Sequence, residues 1–251
     1  MLKIFLMLTK AFIRTILNGM KGIFFIKDKL SLKYYLISLI CVLCVYSSFF
    51  IKLFSPLFDK IYYGNITQVL INSFTLVLWG IEFIILFFVC KKLNINIFTS
   101  EENKKKELPI FRLVILFIFA IIPMLAVSIY LDFTIKIVYE LGVKVTVWGF
   151  VQNAINMVAW VLRIAFITIF INSVHLSFEK NIKFTNEKLN KYFPYGAIFC
   201  FLIFGLLDFF LLGTNLRAFY LIATLLYGIV YLLADRRFSS TFVISYLIWL
   251  L

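Results

Sequence analysis

The sequence predicts an all-α integral membrane protein, with six transmembrane helices preceded by an amphipathic interfacial helix. Three observations carry this. Hydrophobic residues fill 63% of the 251 positions and charged residues only 15%, more apolar surface than a water-soluble domain can hide. The apolar residues gather into runs of about twenty, the length a helix needs to cross a hydrocarbon core of roughly 30 Å. The basic residues fall between those runs, heavily on one side of the implied membrane. The 31 Phe, 13 Tyr and 4 Trp suit the same setting, since amphipathic rings settle at bilayer interfaces.

Residues 1–30 form the leader. Lys3, Lys10, Arg14 and Lys21, with Asn18, share one narrow helical face, while Ile4, Phe5, Leu8, Phe12, Ile13, Leu17 and Phe24 fill the others. No acidic residue precedes Asp28. A helix of this kind lies among headgroups with its cations on anionic lipid. A signal peptide would need an unbroken apolar core and a small-residue cleavage site, and the segment has neither.

Residues 31–251 form a single bundle. Five long apolar runs cover about 34–55, 68–90, 112–131, 149–171 and 193–213. A sixth, 218–234, is shorter and crosses if upright. The tail 241–251 is too short for an ordinary span and is expected to be re-entrant, interfacial or packed into the bundle. Pro123, in the middle of the third run, marks a kink. Gly205 and Gly228 offer close helix approach without forming a G-x-x-x-G pair.

Orientation follows from Lys and Arg. Nineteen lie before the first run, between the second and third, between the fourth and fifth, and after the sixth. Five lie on the other side: Lys52, Lys60, Lys136, Lys144 and Arg217. This bias puts both termini in the cytoplasm. The richness in Phe, Ile, Lys and Asn is associated with AT-rich bacterial genomes, and hence with a bacterial cytoplasmic membrane. The loops are short, and Ser173–Tyr192 is expected to be one of the longer cytoplasmic ones. Lys136, Glu140 and Lys144 have the spacing of a short surface helix, while Val143 to Val147 alternates like a strand, so both readings of that segment stay open. Asn65-Ile66-Thr67 matches a glycosylation acceptor, meaningful only in a eukaryotic secretory pathway.

The net charge of +13 does not point to nucleic acid, because its residues are spread among short loops rather than gathered on a soluble domain. The expected partners are the bilayer with its anionic lipids and either a second copy or another membrane protein. Cys41, Cys44, Cys90 and Cys200 all lie in or beside apolar runs, where cysteine serves as a small hydrophobe. Cys41-x-x-Cys44 lacks the water and positive potential that thiolate chemistry needs. With one His, no metal site is expected, nor any cofactor. His175 reads as an interfacial residue.

Ionisable groups within spans supply the candidate site. Glu82 in the second run and Arg163 in the fourth fall at similar depth, so they pair if their helices are neighbours. Asp208 or Asn156 is the next candidate partner for Arg163, and Asp208 itself has Arg217 or water within reach. Gln152, Asn156 and Arg163 line one face of the fourth helix, with Asn153 one step round. Glu82, Gln152, Asn156, Arg163 and Asp208 therefore make a candidate substrate or ion route, with interhelical packing as their alternative role. No catalytic motif is present, and the intramembrane carboxylates are isolated from the single His, so an enzyme is not expected. Two functions remain: a small permease or transporter subunit, and a non-catalytic assembly, scaffold or lipid-organising factor.

Overall fold

A computed structural model describes residues 29–53, 56, 65–96, 109–130, 147–181, 193–211 and 217–250. The leader, with Lys3, Lys10, Arg14 and Lys21, lies outside them, as do the segments around Lys104, Glu140 and Lys183. The described residues are all-helical, without strands. Among the described residues four helices are long and apolar enough to cross a membrane: α1 (Lys29–Leu53), α2 (Asn65–Lys92), α3 (Ile110–Tyr130) and α4 (Val147–Asn181). Three shorter apolar helices complete the bundle. α5 runs as Tyr195–Cys200, a π-helical turn Phe201–Gly205, and Leu206–Leu211; α6 is Arg217–Leu233 and α7 is Phe238–Leu250.

α4 is the axis of the bundle. It packs against α1, α2, α5, α6 and α7, and 61% of its apolar window is buried against 17% for α2. Its 35 residues rise about 52 Å, well beyond a hydrocarbon core. The polar stretch expected to begin a loop at Ser173 instead continues the helix to Asn181. Ser173, His175 and Ser177 are buried against neighbouring helices, so their polarity does not place them in water. His175 is thus enclosed by protein rather than interfacial, with no exposed surface and its ring beside Tyr195 and Tyr231.

Alternate helix ends meet at one basic end of the bundle. Lys33 Nζ, early in α1, donates to the Leu93 carbonyl just past α2 at 3.1 Å. Arg112 at the start of α3 pairs with Asp235 beyond α6, and Arg236 donates to Glu179 of α4 at 2.8 Å. Asp235 and Arg236 hold positive φ of 51° and 62° in the turn before α7, a conformation glycine adopts more easily. Each carries a side chain committed to an ion pair, which glycine would forfeit.

α7 settles the fate of the tail. It is 13 residues long, about 20 Å, and buries Ile244, Ile248 and Trp249 in the bundle. Phe238, Phe242 and Tyr246 stack along it, and Trp249 stacks on Trp160 of α4 at 4.6 Å. α3 remains continuous through the buried Pro123. Thr67, the last residue of the Asn65-Ile66-Thr67 motif, lies in the first turn of α2 and is 1% exposed.

Gly228 of α6 lies directly against Ala197 of α5, whose backbone a β-carbon would meet. Gly205 likewise abuts Thr224 Oγ1. Both close approaches set the α5–α6 contact that holds Asp208 in place. Gly228→Ala is expected to destabilise the protein by about 1–3 kcal/mol through overpacking. Gly80→Ala, which meets nothing within 4 Å, should be neutral or slightly stabilising. Unfolding of the purified protein in mixed micelles compares the two.

Candidate functional site

Arg163 stands near the middle of α4, about 24 Å along the helix from Val147. Its Nη2 donates to both oxygens of Asp208, at 2.7 Å to Oδ1 and 2.6 Å to Oδ2. The two side chains are 7% and 3% exposed, so the pair is nearly dry. Charge-assisted bonds at this length are strong, and the alternative for either residue alone is an uncompensated charge in a low dielectric.

Three further helices, α1, α6 and α7, join α4 and α5 around the pair. Trp160, one turn from Arg163, covers the guanidinium with 4.5 Å between Cζ and the ring centroid. Tyr220 of α6 and Trp249 of α7 stack on Trp160 in turn. From α1, the Tyr46 hydroxyl donates to the Ile203 carbonyl at 3.1 Å, within the π-helical turn of α5, and also lies close enough to Asp208 to interact with it. A π-helical turn holds one residue more than the α-helical count and so rotates every later side chain about the helix axis. Asp208 comes immediately after this one.

Glu82 is elsewhere. α2 and α4 are neighbours, as the expected pairing required, but Phe83 is the residue that faces α4, meeting Phe166 edge-on at 5.8 Å. Glu82, one step round the helix, turns toward α1 and accepts a hydrogen bond from Ser47 at 3.0 Å. The Glu82–Arg163 pairing is therefore replaced by Arg163–Asp208. Asp208 accepts from Arg163, while the side chain of Arg217 lies outside what the structure describes. Gln152 and Asn153 are buried on α4, where the Asn72 amide donates to the Gln152 carbonyl at 3.2 Å; Asn156 is half-buried. Of the five candidate residues, the structure joins Arg163 and Asp208 in an ion pair between two helices and turns Glu82 toward α1.

A second polar group is not apparent from the sequence. Near the basic end, the Tyr231 hydroxyl donates to Asn172 Oδ1 at 2.6 Å, and Glu179 accepts from Arg236 with His175 Nε2 4.0 Å away. The i, i+4 spacing of His175 and Glu179 is a visible signal, obscured when both are assigned to a loop. All four cysteines are free and buried. Among the described residues no three His, Cys, Asp or Glu gather into a metal site.

Removing either member of the central pair strands the other. Arg163→Gln and Asp208→Asn should each cost about 3–5 kcal/mol, and the double variant should recover most of the loss. Glu82→Gln should cost less than about 1 kcal/mol, the range of an ordinary interhelical polar contact. A double-mutant cycle by denaturant titration in micelles measures both, and absence of coupling between 163 and 208 would contradict the pairing.

Comparison of the chain with protein-family models, curated proteins and solved structures finds no match, so its chemistry rests on the residues just described.

Proposed function

We propose that this is a multi-pass transport protein of a bacterial cytoplasmic membrane, a small permease or the membrane subunit of a transporter, and not an enzyme. The observation that carries this is the dry Arg163–Asp208 pair at the middle of the most buried helix. A purely structural contact there would be served as well by apolar side chains of similar volume, without the desolvation that two charges suffer. Intramembrane charges facing other helices mark substrate and ion pathways in membrane proteins generally. In this reading α5 and α6 complete six spans, α7 enters as a half-length helix from the cytoplasmic side, and the leader lies on anionic lipid.

An assembly role is favoured by one feature, the broad apolar face of α2 with Val77, Ile81, Ile84 and Phe88 exposed. Lipid covers such a face equally well, which leaves the buried pair as the stronger indication.

Two outcomes are expected. In a background lacking the four native cysteines, Lys104→Cys should resist a membrane-impermeant thiol reagent in intact cells, while Asn215→Cys should react. Strong external labelling at position 104 would reverse the orientation. In proteoliposomes, labelled solutes of differing charge are offered in turn, and at least one class should be taken up above protein-free liposomes. That uptake should vanish in the folded Arg163→Gln/Asp208→Asn double variant. Unchanged uptake in the double variant would remove the pair from transport, and a wild type that takes up none of them would favour the assembly role.

A further inference from the structure

The central pair restricts what the protein can carry, an inference that rests on the transport reading above. A site this dry must stay close to neutral in every state it visits. Arginine keeps its proton in proteins, so Arg163 always supplies one positive charge. A cationic cargo taken up by Asp208 would leave two positive charges against one carboxylate. A neutral cargo gives the pair no reason to part. An anionic cargo on Arg163 displaces Asp208, and neutrality returns once that carboxylate takes a proton.

The donor geometry points the same way. Both Asp208 oxygens accept from the single Nη2 nitrogen, while Arg163 Nε is enclosed and has no hydrogen-bond partner. The Nε–H is therefore still a donor without an acceptor, in a side chain more than nine-tenths buried. Trp160 closes one face of the guanidinium, which favours an approach in the guanidinium plane, the geometry in which arginine binds oxyanions. Among the described residues, those within electrostatic reach of Asp208 include Arg163 from α4, Tyr46 from α1, Cys200 from its own helix and Tyr227 from α6, and Tyr220 is within reach of Arg163. Tyrosine and cysteine are ordinarily neutral near pH 7, so among these groups the formal charges are those of Arg163 and Asp208.

We propose that the cargo is a small oxyanion, carboxylate or phosphate, moved together with one proton held on Asp208. The proton adds to a carboxylate oxygen of Asp208, giving the neutral acid and freeing Arg163. The anion then takes the vacated donors together with the Nε edge. On the opposite side the acid returns its proton to water, Asp208 re-forms its bonds to Arg163, and the anion leaves.

The test uses the full chain in proteoliposomes holding a pH-sensitive dye, with protein-free liposomes as control. Labelled glutamate, gluconate and inorganic phosphate are offered as anions, choline and lysine as cations, and glucose as a neutral solute. At least one anion should enter and acidify the interior. Asp208→Asn should still exchange labelled anion across the membrane while net uptake falls by about tenfold or more. The wild-type arm stands even if that variant fails to fold. Entry of choline, lysine or glucose in place of the anions would overturn the cargo assignment and leave transport intact. Anion entry without acidification would overturn the proton's part. No flux of any probe would remove the transport reading and this inference with it.

Discussion

A guanidinium cannot shed its charge, so wherever α4 carries Arg163 into the bundle an anion must meet it there. Much of the architecture answers that requirement. α5 brings Asp208 to the right depth, and the π-helical turn Phe201–Gly205 just before it changes the register of the helix. α6 can lie close enough to support α5 because Gly228 and Gly205 present no side chain at the contact. α7, too short to span, fills the remaining side with Trp249 against Trp160, which itself covers the guanidinium. The neutral pair is what allows so much polar chemistry inside an otherwise apolar bundle.

The membrane-crossing helices are legible in the sequence because hydrophobic run length is a direct readout of bilayer thickness. The four long ones lie where the runs predict, within a few residues at most ends. The exception is the C-terminal end of α4. Asn172, Ser173, His175, Ser177 and Glu179 look like a loop in one dimension, yet each is held against protein: Asn172 by Tyr231, Glu179 by Arg236, the rest by burial. Hydropathy cannot distinguish a polar residue in water from one satisfied by a neighbouring helix. The tail is ambiguous for a related reason, since a short apolar segment fits several fates and only the stacking of its aromatic rings on α4 selects one.

The site is half legible. Its ionisable residues can be found by their cost in lipid, but their partners depend on azimuth and depth together. For Glu82 the sequence predicts nearly the right depth, as the Phe83–Phe166 contact shows, and the wrong direction. Asp208 falls too near the opposite surface when α4 is ended at residue 171, because the helix continues to Asn181. From the neighbouring rings of His175 and Tyr195, Arg163 is twelve residues up α4 and Asp208 thirteen up α5, and so they meet. No pattern in the sequence announces the π-helical turn. Trp160, by contrast, is plain in the sequence, one helical turn before the arginine it covers.

Two charges that satisfy each other form a contact that can be exchanged, whereas packed apolar side chains cannot trade partners for a solute or a proton. The account therefore stands on Arg163 and Asp208 being in contact in the membrane. Short-span thiol crosslinking in native membranes tests this most directly, using the cysteine-free chain with Arg163→Cys and Asp208→Cys together. The account predicts rapid intramolecular crosslinking for that combination and little for Glu82→Cys with Arg163→Cys. Crosslinking of 82 with 163 and none of 163 with 208 would contradict it.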